Sequence, residues 1–151
     1  MSEKSTPVFS IILVTYNSED SIAQSIHALK SAELFDSCET IIVDNASQDE
    51  TISVVKSIIP DCKIIRQKHN LGFAKACNLG ALESTGKYLL FYNPDLEIDN
   101  DALVKLVDFL DTTENSGAVS GRMRFPDGRF QATCRRFPNM QNIFLSRGSF
   151  L

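Results

Sequence analysis

The sequence predicts an α/β fold, a three-layer sandwich built around a mainly parallel sheet. Two observations carry that expectation. Short apolar, β-branched runs alternate four times with segments whose apolar residues recur every three or four positions. Three of those runs end abruptly in polar residues: Thr15-Tyr16-Asn17, Asp44-Asn45-Ala46-Ser47 and Asn93-Pro94-Asp95. Parallel strands need long crossovers, which place helices over both faces of the sheet.

The first strand is Val8-Phe9-Ser10-Ile11-Ile12-Leu13-Val14, apolar enough to be covered on both faces. A helix follows from about Glu19 to Ala32, with Ile22, Ile26 and Leu29 on one side. Ser18 fits as its N-cap, and Glu19 and Asp20 complement the positive helix start. Thr40–Val43 is the second strand. The second helix, from about Asp49 to Ile58, turns Ile52, Val55 and Ile59 inward, and Pro60-Asp61 stops it. Lys63–Arg66 is a short third strand. Residues 73–83 read as a small-residue helix able to lie close on the sheet. Tyr88-Leu89-Leu90-Phe91-Tyr92 is a fourth strand, strongly apolar and therefore expected to be buried. A helix from Asp101 to Leu110 turns Leu103, Leu106, Val107 and Leu110 inward. Gly117–Gly121 reads as one more strand. Pro126-Asp127-Gly128, between Arg124-Phe125 and Arg129-Phe130, is a hairpin-like turn signal.

Composition narrows the function classes. The 151 residues suit one domain and bury a sizeable core unaided. Apolar residues are 43% and charged residues 23%, as in soluble globular domains. A net charge of -4 argues against a general nucleic-acid binder. Cys38, Cys62, Cys77 and Cys134 show no C-x-x-C spacing, and His27 and His69 complete no zinc pattern. Reduced thiols in a cytoplasmic protein are the expectation. No signal peptide or membrane span is legible, while attachment at the inner face of a membrane stays open.

In an open α/β sheet, ligands bind outside the carboxyl ends of the strands. The three polar clusters all fall on that edge. A hydroxyl, an aromatic ring and an amide at Thr15-Tyr16-Asn17 suit a nucleotide or simply a capped turn. Asp44 can accept hydrogen bonds from a base or ribose, or form an Asx-turn. Asn70-Leu71-Gly72-Phe73, with Asn78 further on, sets a glycine before a helix start, where amides attract phosphate; an ordinary loop glycine is the alternative. Asn93-Pro94-Asp95 aims a carboxylate from a stiff strand exit, suited to a hard divalent cation shared with diphosphate oxygens. No glycine-rich dinucleotide fingerprint follows the first strand, and no G-x-x-x-x-G-K-[ST] loop exists. The lysine-bearing glycine-rich loop of a sugar nucleotidyltransferase is missing too.

Together, Val14-Thr15-Tyr16-Asn17, Ile42-Val43-Asp44-Asn45-Ala46-Ser47, Asn70-Leu71-Gly72-Phe73-Ala74-Lys75-Ala76-Cys77-Asn78 and Phe91-Tyr92-Asn93-Pro94-Asp95 resemble glycosyltransferase family 2. Arg124-Phe125-Pro126-Asp127-Gly128 with Gln131, and Arg135-Arg136-Phe137-Pro138, look most like its rhamnosyltransferase-like members. The resemblance implies a Rossmann-like nucleotide-binding GT-A core, truncated at its C-terminal side. It implies a disordered tail over 1–7, a nucleotide-sugar-binding domain over 8–139 and, over 140–151, the start of a missing acceptor or catalytic segment.

The same resemblance implies roles. Thr15, Tyr16, Asn17 and Glu19 would line the nucleotide cleft, and Asp44 with Asn45 would meet the base or ribose. Asn70, Gly72, Phe73 and Asn78 would lie along the nucleotide and its phosphates. Asp95 would be the last carboxylate of a D-x-D-type motif and bind Mg²⁺ or Mn²⁺, with Asn93 in place of the first. The implied reaction is inverting transfer from a UDP- or dTDP-linked sugar to a glycan or lipid-linked acceptor hydroxyl, in polysaccharide or cell-surface glycan synthesis. No residue matches the family's general base: the last acidic residue is Asp127. The alternative is therefore a nucleotide-sugar-binding module that lacks the base. Arg122, Arg124, Arg129, Arg135 and Arg136 form a basic group that could face phosphates or solvent. Phe144, Leu145, Phe150 and Leu151 would mark a cut domain edge or a homodimer contact.

Overall fold

The computed structural model describes residues 6–131. They fall into two compact units, one ending at Gly117 and the other beginning at Ala118. The first unit holds a four-stranded sheet of β1 (Phe9–Thr15), β2 (Glu39–Asp44), β3 (Lys63–Arg66) and β4 (Tyr88–Tyr92). The order is β3-β2-β1-β4 and every pairing is parallel. The helices are α1 (Glu19–Ser31), α2 (Thr51–Ile58), α3 (Phe73–Leu82) and α4 (Ala102–Thr112). The three-layer α/β expectation holds.

β1 is the central strand, and all seven of its residues are buried. One face carries Phe9, Ile11 and Leu13, which pack with Ile22, Ile26 and Leu29 of α1, Val55 of α2 and Leu103 of α4. The other face carries Ile12 and Val14, which pack with Val43 and with Ala76 and Cys77 of α3. The predicted inner face of α1 is therefore the buried one. α3 lies close because Gly80 has no side chain: a Cβ there would stand 2.5 Å from Cγ2 of Ile12.

Two expectations are corrected. β4 is not buried on both faces: Leu89 is 44% and Phe91 47% exposed. Both lie on the α3 face, paired with Ser10 and Ile12, where β4 is the edge strand and α3 covers the sheet further inward. Gly117–Gly121 forms no strand among the described residues; a glycine at each end and small residues between give a ladder little to pack. Ser18 is the N-cap residue of α1 as expected, but its side chain makes no cap hydrogen bond, and its carbonyl accepts from Ser21 and Ile22 N–H.

At the amino edge of the sheet, Glu39 of β2 fastens β1 and the loop that leads into β4. Its Oε1 accepts from Ser10 Oγ, from Thr85 N–H and Oγ1, and from Gly86 N–H. Burial pushes this carboxyl up, but the hydrogen bonds from Ser10, Thr85 and Gly86 outweigh it and hold it below its ordinary range.

The second unit shows the expected hairpin, β5 (Met123–Arg124) paired antiparallel with β6 (Phe130–Gln131). Gly128 takes φ 83° in the turn, a conformation that favours glycine. Arg122 lies over Phe130 at 5.5 Å and Arg129 over Phe125 at 5.7 Å. Arg135, Arg136, Cys134 and the apolar residues from Phe144 to Leu151 lie outside the described residues. Among the described residues no helix is long and apolar enough to cross a membrane.

Candidate nucleotide-sugar site

In the order β3-β2-β1-β4 the chain direction across the sheet reverses between β1 and β4. Loops leaving neighbouring strands at such a point diverge and leave a crevice beyond the carboxyl ends. A crevice of about 380 Å³ opens there. Val14, Thr15, Tyr16 and Ser18 line it from β1, Asn45 from β2, Asn70, Gly72 and Phe73 from the entry to α3, and Pro94 from the exit of β4. All three polar clusters thus reach one rim.

The β1–α1 turn is tied to the β2–α2 turn. Asn17 N–H donates to Ser47 Oγ (3.0 Å), Ser18 N–H to Thr51 Oγ1 (2.7 Å) and Glu19 N–H to Asp49 Oδ2 (3.1 Å). In return Gln48 N–H donates to Asn17 Oδ1 and Glu50 N–H to Glu19 Oε2. The amides of Asn17, Ser18 and Glu19, leading into α1, are therefore already occupied. A dinucleotide fold would offer those amides to phosphate. Asn17 and Glu19 face the neighbouring turn with their oxygens, while Tyr16 keeps its ring half exposed on the crevice.

Thr15, Asp44 and Arg66 form one row across β1, β2 and β3. Thr15 is fully buried and its Oγ1 has no partner among the described residues. An orphaned buried hydroxyl is costly unless something donates to it or accepts from it. Asp44 is fully buried as well. Its Oδ1 accepts from Ser47 N–H (3.0 Å) and its Oδ2 from Arg66 Nε (3.2 Å). Each carboxylate oxygen keeps a second acceptor position.

Asn45 locks the entry to α3. Its Nδ2 donates to Asn70 Oδ1 (2.9 Å), and its Oδ1 accepts from Leu71 N–H (2.9 Å). Asn70 Oδ1 also accepts from Gly72 N–H (2.8 Å). Gly72 takes φ 80°, so a side chain there would be strained. Phe73 is half exposed beside it and, with Tyr16, gives the crevice two aromatic rings. Asn78 is exposed on α3 and does not line the crevice.

Tyr92 sets the exit of β4 by donating its hydroxyl to Leu96 O (2.9 Å). Burial pushes this phenol up, and the charges of Glu97 and Asp95 add to the rise, against a lowering hydrogen bond with Ser25. It stays protonated and can act as the donor. Asn93 and Asp95 flank Pro94 and are exposed. Among the described residues no group of three His, Cys, Asp or Glu side chains gathers. Of the β4 exit, Pro94 lines the crevice, while Asn93 and Asp95 stand next to it in the chain. Cys38, Cys62 and Cys77 are free thiols raised by burial, as inert thiols are.

Sequence reasoning missed Arg66, Asp49 and Thr51. No signal in the sequence marked Arg66, since its place level with Asp44 follows from the register of β3 on β2. The signal for the other two was the Asp-x-Thr spacing just before an apolar period.

Comparisons with known proteins agree with this geometry. The family described as Glycosyl transferase family 2 matches residues 10–149. The uncharacterized glycosyltransferase YfnE of Bacillus subtilis (strain 168) is 31% identical over 108 residues, 70% of this chain and 28% of that protein. The mannosyltransferase PcManGT from Pyrobaculum calidifontis, solved in complex with GDP-Man and Mn2+, superposes with a TM-score of 0.71 at 27% identity. That match covers 82% of this chain and 37% of the other. The crystal structure of S. aureus TarS 1-349 gives a TM-score of 0.63 at 25% identity, over 76% of this chain and 39% of that one. The chain spans 28%, 42% and 36% of the first three curated relatives it matches.

Proposed function

The chain belongs to glycosyl transferase family 2, and from that premise we propose that its crevice holds a nucleotide-diphosphate sugar for inverting transfer to an acceptor hydroxyl. The observation that supports this most is the convergence of three polar turns and the unpartnered Thr15 hydroxyl on one crevice at the reversal of strand order. Tyr16 and Phe73 flank the base. Thr15 and Asp44 meet its polar edge or the ribose, and Asn17, Glu19 and Asn45 hold the turns around it. Asn70 and Gly72 follow the nucleotide toward its phosphates, and Asn78, which lies off the crevice, has no part in this reading.

Asp95, with Asn93 beside it, would hold Mg²⁺ or Mn²⁺ through the diphosphate. PcManGT carries Mn2+ with its GDP-linked donor. Such an ion offsets the charge that grows on a departing diphosphate. The donor is a UDP- or dTDP-linked sugar, with rhamnose the specific candidate. The acceptor is a glycan or lipid-linked hydroxyl in cell-surface polysaccharide synthesis, met in the cytoplasm at the inner face of the membrane.

A second reading is a binding module without its general base. One observation favours it: Glu19, the carboxylate on the turn lining the crevice, is engaged by the Glu50 amide.

Calorimetric titration with UDP and dTDP, with and without Mn²⁺, tests the first reading. Metal should tighten binding in the wild type and have no effect in Asp95→Ala. If metal leaves wild-type affinity unchanged, the role of Asp95 is wrong. A rate assay separates the two readings: sugar transfer by this chain supports the first and sinks the module, whereas donor binding without transfer supports the module.

A further inference from the structure

We propose that Asp49 and Thr51, which stand outside the crevice, are positioning residues that hold its Tyr16 wall in place. The inference rests on reading the crevice as a nucleotide site. Asn17 sits at φ 47°, a left-handed conformation that asparagine takes more readily than most residues and that gives the turn its sharp bend. The β2–α2 turn holds that bend. Thr51 is fully buried, and its hydroxyl accepts from Ser18 N–H at 2.7 Å, the shortest of the three amide contacts. Asp49 divides its carboxylate between two helix starts. Oδ2 accepts from Glu19 N–H at the opening of α1, and Oδ1 accepts from Thr51 N–H at the opening of α2.

Tyr16 and Ser18 line the crevice on either side of Asn17. With the amides of Asn17, Ser18 and Glu19 fixed in space, the backbone sets the direction in which Tyr16 leaves the turn, and so the rotamers by which its ring can reach the crevice. Without the clamp the turn relaxes, and a ligand must reorder it on binding. That reordering lowers affinity without removing any contact to the ligand.

The test uses the whole chain and UDP as probe, with isothermal titration and thermal melting of wild type, Thr51→Val, Thr51→Ser, Asp49→Ala and Val55→Ala. Val55 is a buried core residue on the same helix, with no bond to the β1–α1 turn. Thr51→Val and Asp49→Ala should weaken UDP binding on the order of tenfold, as expected for losing one charged or buried hydrogen bond. Thr51→Ser, which keeps the acceptor, should stay within about twofold of wild type. Val55→Ala should lose melting temperature yet keep wild-type affinity. Asp49 is only partly buried and Thr51 fully so, so the Asp49 variant decides the matter even where Thr51→Val fails to fold. The proposal is overturned by unchanged affinity in Asp49→Ala, or by an equal loss in Val55→Ala. If the wild type binds neither UDP nor dTDP, the nucleotide reading itself fails; wild-type binding with an unaffected Asp49→Ala sinks only the clamp.

Discussion

Glu39 and Asp44 sit at opposite ends of β2, and their partners explain why both carboxylates are tolerated. Glu39 gathers donors from β1 and from the loop before β4. Replacing it with glutamine removes the charge and should lower unfolding free energy by about 1–2 kcal/mol, because the site is partly open to solvent screening. The folded pKa is held below the ordinary 4.5, so the contribution is complete above that value and fades as pH falls through the lower, folded one. Denaturant unfolding of wild type and Glu39→Gln should therefore differ at pH 7 and converge in acid below pH 4.5. A constant gap down to pH 3 would remove Glu39 from the explanation. Asp44 relies on Arg66, whose side chain is 64% exposed while that of Asp44 is fully buried. Arg66→Ala leaves water to replace the guanidinium, so a loss of about 1–3 kcal/mol is expected in the same measurement.

α3 is the element whose position the site feels most. Gly72 and Phe73 at its start line the crevice, and Gly80 near its end touches Ile12 and Val43. A methyl group at Gly80 would push the helix off the sheet. Gly80→Ala should cost about 1–3 kcal/mol of stability despite the better helix propensity of alanine. It should also weaken UDP binding, because the displaced helix carries Gly72 and Phe73 with it. A stabilised variant would show that α3 has room to spare. β4 teaches the reverse lesson. Its composition is that of a buried strand, yet at the edge of the sheet Leu89 and Phe91 stay exposed on the α3 face.

At the scale of the first unit, the crevice exists because the strand order reverses between β1 and β4, so the loops beyond their carboxyl ends diverge. A ligand bound there bridges turns from β1, β2 and β4, so binding should stabilise the first unit as a whole. UDP at a hundredfold its Kd should add about 2.7 kcal/mol, which raises Tm by roughly 5–10 °C for a domain of this size. Scanning calorimetry with and without UDP reads this directly. A full Tm rise retained in Thr15→Val would argue that the orphaned hydroxyl has no part in the ligand contact.

The elements and the rim were legible in the chain because both rest on local order. Apolar period distinguishes Ile22, Ile26 and Leu29 on α1 from the unbroken run of β1, and polar residues at strand ends need no partner to be recognised. The four motif blocks also pointed to the family that the match over residues 10–149 establishes. Contacts between segments distant in the sequence were decided only by the tertiary structure. Arg66 meets Asp44 because β3 pairs with β2 in that register, and Thr51 meets Ser18 because α2 docks beside α1. Burial of β4 likewise depends on which element lies beyond it, since a strand's own residues set its pleat but not its neighbours.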